Sequence, residues 1–217
     1  MARRTKEEAQ ETRTHILDKA ERVFLEKGVS RTSLDDIAAA AGVTRGAIYW
    51  HFKNKADLFD ALMQRVSLPL EQIAPHSGDD CEDPLGEVRA LAIQVITRLT
   101  SDPQCRRMQE ICHYKVEYVD EMEPLRERHI ECCSSSLALI EEKMRVAARK
   151  GMLEASVDPK LAAIGIHSLV CGLIQNWLLN PKYLALAKTA EDLVDSHIDR
   201  LRAPVEKKQP VKRATRG

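Results

Sequence analysis

Residues 32–55, TSLDDIAAAAGVTRGAIYWHFKNK, restrict the fold more than any other stretch of the chain. Two short helical patterns meet at Gly42, four residues after the small Ala38. That spacing lets two helices cross closely, as a helix-turn-helix requires. The second helix is expected to show Thr44, Arg45, Tyr49, Trp50 and His51 to the outside. Such a face is suited to lying against another surface, and the groove of double-stranded DNA is the first candidate.

The surrounding sequence reads as all-α. Ile16, Leu17, Ala20, Val23 and Phe24 form one apolar stripe at helical spacing, placing a first helix over about 7–27 that Gly28 ends. Thr32 or Ser33 caps the second helix, with Asp35 and Asp36 in its first turn, and Thr44 caps the third. A fourth starts near Lys55, and Pro69 is placed to bend or end it. Further helices are expected over about 84–101, 104–118, 123–150, 158–180 and 185–202, with an acidic loop at 75–84. Gly and Pro number only 9 each, and no alternating strand pattern or hairpin turn recurs. The expected architecture is a three-helix helix-turn-helix domain over 1–54 and a helical bundle over 55–203, about nine helices in all. A basic tail over 204–217 lacks periodicity and is expected to be disordered.

The 33 basic and 33 acidic side chains cancel, yet their distribution is uneven. Residues 1–65 carry a net +2, residues 66–199 a net −8 and residues 200–217 a net +6. A basic N-terminal end on an acidic body suits contact with a polyanion at one end. No signal-peptide pattern opens the chain, and no run of about 18 apolar residues is expected to span a membrane. A cytoplasmic protein with no membrane partner follows. Its 6 cysteines are then reduced thiols, and without a C-x-x-C pair no metal site is expected. No cofactor is implied.

The residues needed to read DNA fall close together. Arg45 can make the bidentate contact to guanine, and Gly46 lets the helix backbone approach the groove. Thr44, Tyr49 and His51 can donate to phosphates, with Trp50 on the same exposed helix. Lys55 and the start of its helix offer another phosphate site, as do Thr32 and Ser33. Arg3, Arg4 and Lys6 form a basic arm able to reach the minor groove or backbone.

The second half reads as a ligand-binding bundle. Gln109, Cys112, His113, His167 and Cys171 can supply the few polar groups of an otherwise apolar pocket. The last two helices carry more apolar positions than one internal face needs. Leu161, Ile164, Leu169, Leu193, Ile198 and Leu201 are therefore assigned to a two-fold homodimer interface. It would set two recognition helices about 34 Å apart on one DNA face. An alternative is a thiol or metal sensor built from His129, Cys132 and Cys133 with Cys112 and Cys171. Adjacent cysteines, however, point about 100° apart on a helix. No Ser-His-Asp spacing, nucleotide loop or paired-acid motif points to an enzyme.

The arm MARRTKEEAQETR, the segment TRGAIYWHFKNKADLF and the later RRMQEICHYKVEYVDEM resemble the TetR family of bacterial repressors, in the subgroup typified by AcrR and TtgR. The likeness fades in the loop 74–83 and after Arg202. It implies a homodimer that binds a palindrome-like operator and represses a drug-efflux operon of the resistance-nodulation-division type. A hydrophobic small-molecule inducer would release the operator. The resemblance also implies that Val66, Leu70, Leu91, Val95, Ser136, Ile140 and Gln175 line the inducer cavity. It departs from the pattern at His167, Cys171 and Gln175, which replace an aromatic, an acidic and a basic group.

Overall fold

The first helix is set by an unbroken helical sequence: nothing from Ala2 to Lys27 is a glycine or a proline. A computed structural model describes residues 2–66, 81–118 and 122–204, with side chains from Lys6 onward in this helix. There α1 runs Ala2–Lys27. It starts before the expected residue 7, so the backbone of the basic arm is helical rather than extended. Ile16, Leu17, Ala20, Val23 and Phe24 are all buried, as their spacing requires. Gly28 closes the helix with φ of 84°, the left-handed conformation that glycine adopts without strain.

Next come α2 (Leu34–Ala41), α3 (Arg45–His51) and α4 (Lys55–Val66). Of the two expected caps for α2, Ser33 does the work. Its hydroxyl accepts from the Asp36 amide, and the Asp36 carboxylate accepts from the Ser33 amide, a reciprocal capping box. Thr44 caps α3 by accepting from the Ala47 amide at 3.2 Å. Gly42 has φ of 65°, and a Cβ there would meet nothing within 4 Å. The turn therefore needs glycine for its left-handed backbone, not for the close helix crossing inferred from spacing.

The remaining helices are α5 (Pro84–Ser101), α6 (Pro103–Tyr114), α7 (Glu123–Arg149), α8 (Pro159–Leu179) and α9 (Leu186–Asp199). Proline lies in the first turn of α5, α6, α7 and α8, where the missing N–H costs no helical hydrogen bond. Among the described residues the fold is all-α, with nine helices and only an isolated antiparallel pairing of Leu153 with Arg202. The Pro69 bend, most of the 75–84 loop and the tail from residue 205 lie outside the described residues.

Two apolar cores divide the molecule. The first joins α1 to α4 with Met108, Ile111 and Cys112 of α6 and with Met122 and Leu125 at the start of α7. The boundary expected between residues 54 and 55 falls inside this core, because Leu58, Phe59 and Leu62 of α4 belong to it. The second core joins α5, α7, α8 and α9.

Three further links tie α1 and α4 to the bundle. The nearly buried Glu21 carboxylate of α1 accepts from the Arg107 guanidinium of α6. The Val29 amide donates to the Lys115 carbonyl at 2.8 Å, and Arg128 of α7 pairs with Asp60 of α4.

One expectation is corrected by α8. It is 21 residues long and contains an 18-residue stretch with a mean hydropathy of 1.5, apolar enough by length and composition to cross a membrane. It packs most extensively against α7 and also against α9 and α5. Its composition is explained by two apolar sides. Ala162, Ala163, Ile166, Ile174 and Leu178 are buried, while Leu161, Ile164 and Leu179 are exposed.

Candidate nucleic-acid interface

Helix α3 is held from behind and bare in front. Ile48 is its one buried side chain, and Phe52, just past its end, is buried as well. The opposite side shows Arg45 with 73% of its side chain exposed, Tyr49 at 45% and Trp50 at 73%. A tryptophan that exposed is costly for a helix with no partner, since large apolar surface gains from leaving water. Gly46 is exposed, and a Cβ there would meet only the Thr44 hydroxyl at 4.0 Å. The backbone beside it is open to a close approach.

Neighbouring groups arrange this face. The Arg45 guanidinium lies 5.5 Å from the Tyr49 ring centre and its Nε is 3.4 Å from an Asp35 carboxylate oxygen. The His51 ring stands edge-on to Trp50 at 4.6 Å. Partial burial, and then the Arg13 charge, push the His51 pKa down, so the imidazole is neutral near pH 7. Arg13 itself sits 5.1 Å over the Phe52 ring. Asp36 is held at a pKa of about 2, chiefly by the Ser33 hydroxyl, then by the Ser33 amide and Lys27.

Two expected phosphate contacts are corrected. Lys55 is buried, and its ammonium donates to the Thr32 carbonyl at 2.9 Å and the Ser30 carbonyl at 3.4 Å. Thr32 is buried too, its hydroxyl donating to the Gly28 carbonyl at 2.7 Å. Both side chains fasten the α1–α2 turn, because backbone carbonyls drawn into the interior need donors. Ser33 is exposed and Thr44 is exposed, each engaged as a cap. The side chains of Arg3 and Arg4 lie outside those described. Sequence reasoning missed Asp35 and Arg13 as neighbours of this face. Asp35 looked like an ordinary first-turn acid, and nothing local signals a cation over Phe52.

The expected inducer-facing residues are spread over both cores. Val66 and Cys112 are buried in the first core; Leu91 and Ile140 are buried in the second, with Val95 half-buried against it. Gln109, His113, Ser136, His167 and Cys171 are half-buried, whereas Gln175 is exposed. Gln175 contributes its carbonyl, which accepts from the Tyr114 hydroxyl at 2.6 Å. Leu70 lies outside the described residues. Open depressions of about 500 Å³ lie along α1, from Glu7 to Asp18, and along α5, from Arg89 to Ser101. Neither includes any of the expected lining residues.

Near the α6–α7 junction the structure does assemble a polar aromatic group. The His129 ring stacks on Tyr118 at 6.1 Å and stands edge-on to His113 at 6.5 Å. Burial raises the Tyr118 pKa to about 12 and lowers that of His113. Tyr118 went unnoticed in the sequence because it follows the end of a helix and belongs to no periodic face. The Cys133 thiol lies 3.7 Å from a His129 ring nitrogen, and Cys171 3.8 Å from one of His167. Burial raises the thiol pKa of Cys105, Cys112, Cys133 and Cys171, that of Cys112 to about 12. Among the described residues no three His, Cys, Asp or Glu groups are placed to hold a metal ion.

Two family models account for both halves. Residues 16–62 match bacterial regulatory proteins of the tetR family, and residues 83–203 match the C-terminal region of MAATS-type transcriptional repressors. The chain belongs to the TetR family. This TetR-family regulator is 44% identical over 203 residues to the HTH-type transcriptional regulator TtgR of Pseudomonas putida, covering 93% of this chain and 97% of that protein. Its fold is similar to that of NalD, the secondary repressor of the MexAB-OprM multidrug efflux pump in Pseudomonas aeruginosa. The TM-score is 0.83 at 36% identity, over 90% of this chain and 98% of NalD. It is also similar to SmeT of Stenotrophomonas maltophilia solved with triclosan, with a TM-score of 0.77 at 33% identity, over 89% of this chain and 93% of SmeT. The family consists of transcriptional regulators and not enzymes, and this regulator is no exception.

The apolar positions assigned to a subunit interface divide. Leu161, Ile164 and Leu193 are exposed on α8 and α9. Leu169 and Leu201 are half-buried against the second core. Ile198 is buried within the subunit and is corrected to a core residue, because its turn of α9 faces inward with Val194.

Proposed function

We propose that this regulator is a homodimeric repressor of a multidrug efflux-pump operon. The dimer binds a palindrome-like operator and leaves it when a hydrophobic drug-like molecule occupies the bundle. The observation that carries the reading is α3, which shows Arg45, Tyr49 and Trp50 outward from a scaffold similar throughout to efflux-pump repressors. The exposed leucines of α8 and α9 support a two-fold contact with a second copy, since lipid is not needed to explain a helix with two apolar sides. That contact and the recognition helix together favour a cytoplasmic protein acting on DNA.

Inducer binding is supported by the polar aromatic group of His113, Tyr118 and His129 beside α6. Helix α6 is also the element joined to α1 through Glu21 and to the α1–α2 turn through Lys115. A ligand that displaces α6 thus acts directly on the DNA-binding helices. The test is a gel-shift titration on the intergenic duplex beside the gene, with and without a panel of apolar antimicrobials. Expected is a discrete complex that at least one compound dissolves. Absence of any specific complex overturns the repressor, and a complex insensitive to every compound overturns drug release.

A further inference from the structure

Helix α2 opens with two adjacent carboxylates that do different things. Asp36 is consumed locally by the capping box with Ser33 and by Lys27 at 3.2 Å. The capping box uses only one acid of the first turn. Asp35 is not needed for the cap and reaches across to α3, 3.4 Å from the Arg45 Nε, with half of its side chain in water. The same guanidinium lies 5.5 Å from the Tyr49 ring.

We propose that Asp35 is a specificity-determining residue, acting on Arg45 and on the DNA backbone at once. Two physical arguments carry this, both resting on the reading of α3 as the DNA-contacting helix. First, a guanine edge is recognised by a pair of parallel guanidinium N–H groups. Asp35 engages the Nε edge and Tyr49 a face, so the side chain is oriented before it meets a base, with its two terminal nitrogens available as that pair. Less rotamer freedom is then lost on binding the right sequence. Second, a carboxylate at the rim of the recognition helix repels phosphate on every duplex alike. Only a sequence that engages the oriented Arg45 offsets that repulsion. A fixed unfavourable charge combined with one conditional contact raises discrimination while lowering overall affinity. Exposed ion pairs add little to stability, so the effect belongs to binding and not to folding.

The experiment uses the full chain and two fluorescent duplexes, one selected from a random library by the wild-type protein and one scrambled. Anisotropy titrations over a salt series compare wild type, D35N and, as a control losing the same charge elsewhere, Glu142→Gln on α7. D35N is expected to bind the scrambled duplex roughly threefold to tenfold more tightly and to gain less on the selected one, so the ratio between them falls. Glu142→Gln is expected to leave that ratio unchanged. If D35N shifts both duplexes by one factor, or weakens both, the specificity role is overturned while the DNA-binding reading stands. If the wild-type protein enriches no sequence at all, the DNA-binding reading falls and takes this role with it.

Discussion

At the scale of single residues, the proposed reading face divides into exposed groups of α3 and buried groups that hold it in place. Arg45→Ala should cost about 1–3 kcal/mol of operator binding and relax preference at one base pair. Equal losses on operator and scrambled DNA would reassign Arg45 to a phosphate. Lys55→Ala should behave differently, because the ammonium is buried on the Thr32 carbonyl. Its loss leaves buried acceptors short of a donor and should lower unfolding free energy by roughly 1–3 kcal/mol in urea titrations. His51 adds a pH dependence. Its folded pKa lies below the ordinary histidine value, so the free protein holds it neutral around pH 7. A neighbouring phosphate favours the charged form, so binding should draw in a proton. Operator affinity should therefore rise as pH falls from about 7.5 toward 6. A pH-independent difference between wild type and His51→Asn would remove His51 from the interface. In folding the sign is opposite: a depressed pKa means stability is lost as the pH falls and the unfolded chain takes up the proton.

At the scale of elements, α2 and α3 are short and depend on their ends. Ser33→Ala removes one half of the capping box and should cost about 1 kcal/mol, measured as a shift in urea midpoint. The Asp36 half titrates as well. With its pKa depressed to about 2, its contribution is complete above the unfolded value near 4 and is lost as pH falls through 2. Much of this was legible in the sequence. Ser33 and Thr44 stand before apolar runs at the right distance, and the stripe of α1 needs only a count of spacings. The roles of Lys55 and Thr32 were not legible. A lysine at the start of a helix reads as solvent-exposed, and only the fold of the α1–α2 turn brings two carbonyls to it. Asp35 was hidden for the same reason: its partner Arg45 belongs to the next helix, and periodicity along one helix carries no information about that contact.

At the scale of the whole molecule, α6 joins the helix-turn-helix core to the bundle. One side meets α1 through Arg107 and Glu21, and the other meets α8 through Arg106, 4.7 Å over the Trp177 ring. The exposed apolar positions on α8 and α9 are the ones proposed to meet a second copy. Leu161→Glu combined with Leu193→Glu should convert a dimer to a monomer in sedimentation experiments and abolish binding to a two-half-site duplex. Far-UV dichroism should stay helical, because both side chains lie outside the subunit core. An unchanged dimer would move the interface to another face.

What the sequence determined by itself is the helical class, the order of the helices, the caps of α2 and α3 and the outward residues of α3. These follow from interactions within a few residues: spacing, hydrogen bonds at helix ends and the conformational freedom of Gly28 and Gly42. Tertiary structure alone decided which apolar residues serve the subunit core and which stay exposed, as Ile198 and Leu161 illustrate on neighbouring helices. It also decided that α4 shares its core with α6. Burial and pairing depend on residues far apart in the chain, and hydrophobicity along one helix is the same whichever neighbour covers it.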